Sequence, residues 1–219
     1  MQHTSREFER ELQTLRNRLL AMGGRAEQQI ERATEAIVRH DDQLSQQVID
    51  ADTEMDRDEI EIDELAFLIL ARRQPVASDL RFVMLSLKIV TDLERIGDLA
   101  VNIAKRQKEL SALSQEPPGE LHELGQRVLG ALRQALDAFR DADAVTAENV
   151  IRDDTEIDRL NVQLITRLLD DDIPSRFDLA RALATSSVSR YLERIGDHAT
   201  NIAEMVIYFV RGRDIRHHH

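Results

Sequence analysis

The residues with the most chemical potential in this chain are acidic, and they come at a fixed spacing. Asp52 and Asp56 stand four residues apart, as do Asp154 and Asp158. Glu94, Asp98 and Asn102 repeat that step, and Glu193, Asp197 and Asn201 repeat it again. On a helix, a step of four brings side chains onto one face about 6 Å apart. Like charges so placed repel by roughly a few tenths of a kcal/mol, and a bridging cation removes that repulsion. Carboxylate and amide oxygens are hard ligands, suited to magnesium, manganese, calcium or iron rather than to thiophilic metals.

A second explanation needs no ion. Acidic pairs at this spacing are commonly solvated faces or arginine partners, and Arg57, Arg95, Arg159 and Arg194 lie close in sequence. Recurrence of the motif weighs toward a cation, because solvated positions have no reason to persist after duplication. Gly97 and Gly196, inside the second motif, also read as points of close helix approach. Other chemistries lack their parts. There is no P-loop, G-x-S-x-G or dinucleotide fingerprint, and no Glu-x-x-His of the ferritin-like kind. Ser186, Ser187 and Ser189 have no base nearby in sequence, His40 with Asp41 reads as a helix cap, and His198 as a partly exposed structural residue. No glycine-rich nest offers to cradle free phosphate.

The elements that must position these side chains are helices. Gly (8) and Pro (4) are too few for the tight turns of a β-sandwich or barrel, and aromatics make up only 4%. Helix-forming Ala, Leu, Glu, Arg and Gln dominate. The breakers predict helices over 5–40, 43–73, 76–113, 120–141, 144–172 and 175–211, long enough to pack as antiparallel bundles. Pro75 and Pro174 suit helix starts, Asp41-Asp42 a cap, and Glu116-Pro117-Pro118-Gly119 the main loop. Gly23-Gly24 predicts a kink or break in the first helix, at about 1 kcal/mol per glycine relative to alanine.

These helices form one unit written twice. Residues 92–104 read DLERIGDLAVNIA and residues 191–203 read YLERIGDHATNIA, identical at ten of thirteen positions. Pro75 and Pro174 stand at the same offset of 99, as do Asp79-Leu80 and Asp178-Leu179; IDADTEMDR (49–57) matches IRDDTEIDR (151–159) at 102. The fold class is therefore all-α, two tandem pseudo-symmetric three-helix bundles, one over 1–115 and one over 120–214. His217 to His219 read as a purification-tag remnant.

On a helical wheel Leu93, Ile96, Gly97, Ala100, Ile103 and Ala104 form a core stripe, which turns Glu94, Asp98 and Asn102 outward. Asp52 and Asp56 instead fall in an arc bracketed by Ile49, Met55, Ile60 and Phe67, and their counterparts among Ile151, Ile157 and Val162. A carboxylate facing a core needs an arginine, a metal or a position at the bundle's edge. On ideal wheels the two motifs do not face each other, so spacing alone assembles no single site.

Charge and composition exclude several roles. A net charge of −12 argues against nucleic-acid binding through the phosphate backbone and suits cations or basic protein patches. Zero cysteines remove disulfides, thiol catalysis and Cys-ligated zinc. The charged N-terminus predicts no signal peptide, and the longest apolar run, 65–71, is far short of the roughly 20 residues a spanning helix needs. A soluble cytoplasmic protein without membrane insertion is expected.

LERIGDLAVNIA and LERIGDHATNIA, together with QPVASDLR (74–81) and the two D-x-x-x-D segments, closely resemble the phosphate-uptake regulator family, PhoU. The resemblance covers essentially the whole chain; the second copy departs from it over 174–181, where only the proline and Asp178-Leu179 survive. It implies paired three-helix bundles, often dimeric, with metal ions (iron, manganese, magnesium or zinc) held by Asp52, Asp56, Glu94, Asp98 and Asn102 in one half. In the other half the implied ligands are Asp154, Asp158, Glu193, Asp197 and Asn201, with Asp79 and Arg81 as further motif positions. It also implies a non-catalytic regulator of phosphate import and of the phosphate-starvation response, an adaptor between the transporter's ATPase subunit and a phosphate-sensing histidine kinase. A metal-dependent phosphohydrolase and a purely structural helical scaffold are the alternatives.

Overall fold

The computed structural model describes residues 2–112, 118–170 and 176–212, which form seven helices and, among the described residues, no strand. They are α1 (Gln2–Arg39), α2 (Asp42–Asp50), α3 (Asp52–Arg73), α4 (Ala77–Ser111), α5 (Gly119–Asp141), α6 (Ala144–Asp170) and α7 (Arg176–Arg211). Glu116 and Pro117 of the expected main loop, Pro174 and His217 to His219 lie outside the described residues. No described helix is long and apolar enough to cross a membrane.

The first bundle is α1, α2–α3 and α4, and the second is α5, α6 and α7. They join along two seams, α1 against α5 and α4 against α7, so their buried side chains form one continuous core. Duplication is visible in the turns as well as in the motifs. Asp41 caps α2 by accepting from the Gln43 and Leu44 amides at 2.8 and 3.0 Å. Its counterpart Asp143 caps α6 through Val145 N–H at 2.9 Å and the Thr146 hydroxyl at 2.6 Å. The residue before each cap, His40 or Ala142, is left-handed, at φ 53° and 52°. Each aspartate satisfies amides that the first helical turn leaves without partners.

Two expectations fail, each for a local reason. The helix read over 43–73 is two helices, because ψ relaxes to −12° at Ala51 against about −42° in a regular α-helix. That interruption puts Asp52 in the first turn of α3. Conversely, α1 runs unbroken through Gly23 and Gly24. A Cβ on Gly23 would lie 2.7 Å from Leu136 Cδ1, and one on Gly125 would lie 2.5 Å from Thr34 Cγ2. The missing side chains let α1 and α5 approach, and this packing offsets the helix cost of glycine.

Candidate metal-binding faces

The core stripe of α4 is as read: Leu93, Ile96, Ala100, Ile103 and Ala104 are fully buried. Beside it Glu94, Asp98 and Asn102 are half-buried. The arc assigned to Asp52 and Asp56 needs correction. Met55 and Ile157 are buried, but Ile60, Phe67 and Val162 are 59%, 60% and 61% exposed. The aspartates therefore stand at the bundle's edge, between the buried stripe and an exposed apolar one. Asp52 and Asp154 are half-buried, while Asp56 and Asp158 are exposed.

The folded chain also brings together what ideal wheels keep apart. Burial pushes the Asp52 carboxyl up, and the charges of Asp56 on its own helix and Asp98 on α4 push it further, with Lys105 opposing. Burial likewise raises Glu94, as do Asp98, Glu59 and Asp56, against Arg95. The two motifs of the first half thus share one electrostatic neighbourhood across the α3–α4 pair. Because α3 and α4 run antiparallel from the turn at 74–76, residues in the fifties of α3 stand opposite the nineties of α4.

The second half repeats this arrangement with less relief. Asp154 is pushed up to about 6 by burial first, then by Asp158 and Asp197, with the Thr200 hydroxyl opposing. Glu193 is raised by burial, Asp197 and Asp158, against Arg190 and Arg194. Burial and Asp158 raise Asp197, against His198 and Arg194. The position of Lys105 is taken here by Glu204, so the cation that tempers Asp52 has no counterpart beside Asp154. In the first half Arg95 lies 3.4 Å from both Glu94 and Asp98. In the second, Arg159 pairs with Glu156, and among the described residues Asp154, Asp158, Glu193 and Asp197 make no ion pair. Direct arginine contact therefore accounts for part of the first face; on the second, Arg190 and Arg194 act on Glu193 and Asp197 only from beyond ion-pair distance.

Gly196 gives the second motif its shape. A Cβ there would lie 3.3 Å from Asp154 Oδ1 and from two Ile157 methyl carbons. At Gly97 it would meet Gln29 Oε1 at 3.1 Å and Met55 Cε at 3.3 Å. Both glycines admit the crossing helix, but only Gly196 makes room for a carboxylate.

The remaining positions separate. Asn201 is exposed and donates to Asp92 Oδ1 at 3.4 Å. Asp79 lines a groove with Arg16, Phe82 and Phe209, and Arg81 lines another between α4 and α7, so neither belongs to the acidic faces. The fold also adds residues that the motifs did not name. Glu59 and Asp63 extend Asp52 and Asp56 along α3 at steps of four, seven and eleven, and burial raises both. That continued spacing was the signal in the sequence; the second half carries Asn161 and Ile165 instead. A second addition is the 2.7 Å hydrogen bond between His198 Nδ1 and Asp92 Oδ1, which joins the two bundles.

As a donor set the faces suit a hard cation: oxygens only, crowded, and partly withdrawn from water. Among the described residues, however, no three His, Cys, Asp or Glu side chains converge closely enough to hold a metal ion. Uptake of an ion therefore requires the carboxylates to turn toward one another.

Comparison with known proteins places this architecture. A family model described as "PhoU domain" matches residues 19–107 and again 121–206. The chain is 44% identical over 217 residues to a phosphate-specific transport system accessory protein PhoU homolog of Pseudomonas putida, covering 98% of this chain and 85% of that one. It is 37% identical over 222 residues to the Escherichia coli K12 protein named phosphate-specific transport system accessory protein PhoU, covering 98% and 90%. The crystal structure of PhoU from Pseudomonas aeruginosa superposes with a TM-score of 0.90 at 42% identity, over 94% of this chain and all of that one. That of the phosphate transport system regulatory protein PhoU from Streptococcus pneumoniae gives 0.88 at 28% identity, over 95% and 99%.

Proposed function

This chain belongs to the PhoU family, and from that premise we propose that it is a cytoplasmic, non-catalytic accessory regulator of phosphate uptake. In this reading it damps phosphate import and the phosphate-starvation response by docking two partners, the ATPase subunit of a phosphate transporter and a phosphate-sensing histidine kinase, and it works as a homodimer. The observation that carries the reading is similarity along nearly the whole chain to proteins named as accessory to phosphate-specific transport. The relatives' names are those of an accessory protein and not of an enzyme.

The acidic faces take divalent or trivalent cations, iron, manganese, magnesium or zinc. Asp154, Asp158, Glu193 and Asp197 would hold an ion in the second half, and Asp52, Asp56, Glu94 and Asp98 in the first. What supports this is four crowded carboxylates with no direct ion pair among the described residues in the second half, a charge distribution that an added cation relieves. Bound there, an ion supplies charge neutralisation and locks α6 to α7. The frame and its charge then become a defined docking surface.

The test is genetic. Deletion of the gene should switch on phosphate-starvation genes in phosphate-rich medium, and the wild-type copy should restore repression. Normal repression in the deletion strain contradicts the reading.

A further inference from the structure

Duplication left the two halves of the α4–α7 seam unequal. A groove of about 310 Å³ opens between the N-terminal part of α4 and the C-terminal part of α7, floored by Leu80, Met84, Leu85 and Met205, and edged by Tyr208. Arg81 and Lys88 stand on its α4 side, seven residues apart. Neither has an ion-pair partner among the described residues, and the Arg81 Nε is buried without a hydrogen bond. In a chain of net charge −12, two cations without an ion pair therefore border an apolar trough.

The repeat-equivalent surface provides an internal control. Leu80 and Met84 recur as Leu179 and Leu183, all four exposed. At the positions matching Arg81 and Lys88, the second half has Ala180 and Ser187; at those matching Met205 and Tyr208 it has Arg106 and Glu109. Arg106 and Glu109 pair with each other at 2.6 Å. The apolar positions persist in both halves, but Arg81 and Lys88 have no cationic counterparts at the matching positions.

We propose that this groove is a docking site for an acidic amphipathic helix of a partner protein. Its apolar face would settle on Leu80, Met84 and Met205, with carboxylates about two turns apart meeting Arg81 and Lys88. Two antiparallel helices form the walls, since Leu80 lies by Tyr208 while Thr91 lies by Asn201, and the trough continues past Lys88 and Met205. Such a trough fits a rod whose anchors repeat at helical spacing. Seven residues of α4 span about 10 Å, the distance between like positions two turns apart on the docked helix. The rest of this acidic surface repels such a helix, which makes the groove selective.

The inference rests on the adaptor reading only in holding that a partner exists. It is tested without metal, phosphate or a phenotype, so either can fail alone. The full chain in EDTA is titrated with two synthetic amphipathic helices sharing one apolar face, one carrying Glu and one Lys at flanking positions seven apart. Fluorescence anisotropy should show the Glu helix binding at least tenfold more tightly. In an Arg81→Glu, Lys88→Glu double variant the preference should invert, with thermal melting unchanged. Met84→Asp, at an exposed position, should abolish binding of either helix. Failure of the Glu helix to bind, or equal binding of both, overturns the proposal. So does self-association that Met84→Asp abolishes, which would make a second copy the occupant. Retention on anionic phosphatidylglycerol vesicles through Arg81 and Lys88, with no binding of the Glu helix, would overturn it in favour of lipid.

Discussion

Asp154 reaches over Gly196: its Oδ1 lies 3.3 Å from the point a Cβ on that glycine would occupy. The glycine of the repeated LERIGD segment thus does more than let α6 and α7 approach. It leaves room for a carboxylate at the edge of the core, beside Asp158, Glu193 and Asp197. A methyl group there should separate the packing role from the ligand role. Gly196→Ala gains up to about 1 kcal/mol of helix propensity, which crowding of the Ile157 methyls opposes, so thermal stability should change little. Uptake of manganese in the second half should fall several-fold because Asp154 is displaced. Gly97→Ala crowds the flexible ends of Met55 and Gln29 instead, so melting should change equally little, with cation uptake in the first half retained. Unaltered manganese titration of Gly196→Ala would detach the glycine from the carboxylate face.

Acidity at this face should be visible in stability. The Asp154 carboxyl is pushed up to about 6 from the ordinary 3.8, so its ionised form is disfavoured in the folded chain. A group raised in this sense penalises folding as pH climbs from below 3.8, where both states are protonated, to above 6, where both are charged. Without metal, the native chain should lose stability across that window relative to Asp154→Asn, as read by urea midpoints in EDTA. Protons and cations compete for the same oxygens, so manganese affinity should rise over the same interval. Parallel pH profiles for the two proteins would show that Asp154 titrates as an ordinary surface aspartate.

The two bundles are tied by the 2.7 Å contact between His198 and Asp92, and His198 occupies the position that is Leu99 in the first repeat. Matching the first repeat with His198→Leu leaves the largely buried Asp92 only the 3.4 Å contact from Asn201. Stability should drop by about 1–3 kcal/mol, the cost of stranding a buried acceptor. Asp92→Leu in the same chain should recover most of it. Additive losses in the double-mutant cycle would mean that the pair is not coupled.

Much of this was legible in the sequence because it depends on period and repetition. Helix boundaries follow from the few Pro and Gly residues, the α4 core from the run Leu93 to Ala104, and the duplication from LERIGD. The seam between α1 and α5 was hidden, since Gly23 reads as a helix breaker until Leu136 is seen against it. The arc drawn for Asp52 and Asp56 counted Ile60 and Phe67 as core because a wheel records hydrophobicity and not contact. It also gives each helix's faces without the rotation between helices, so Asp52 and Asp98 could not be brought together. The pairing of His198 with Asp92 spans 106 residues, beyond the reach of any local pattern.

Elemental analysis of the full chain, purified without chelator and compared with Asp98→Asn and Asp197→Asn variants, tests most directly whether the repeated carboxylates exist to hold an ion. The account predicts a stoichiometric hard metal in the unaltered protein, less in each single variant and none in the double variant, with Asp197→Asn costing more because no arginine among the described residues pairs directly with its face. Metal-free protein that takes up no manganese or iron on soaking, with melting unchanged by either ion, would contradict it.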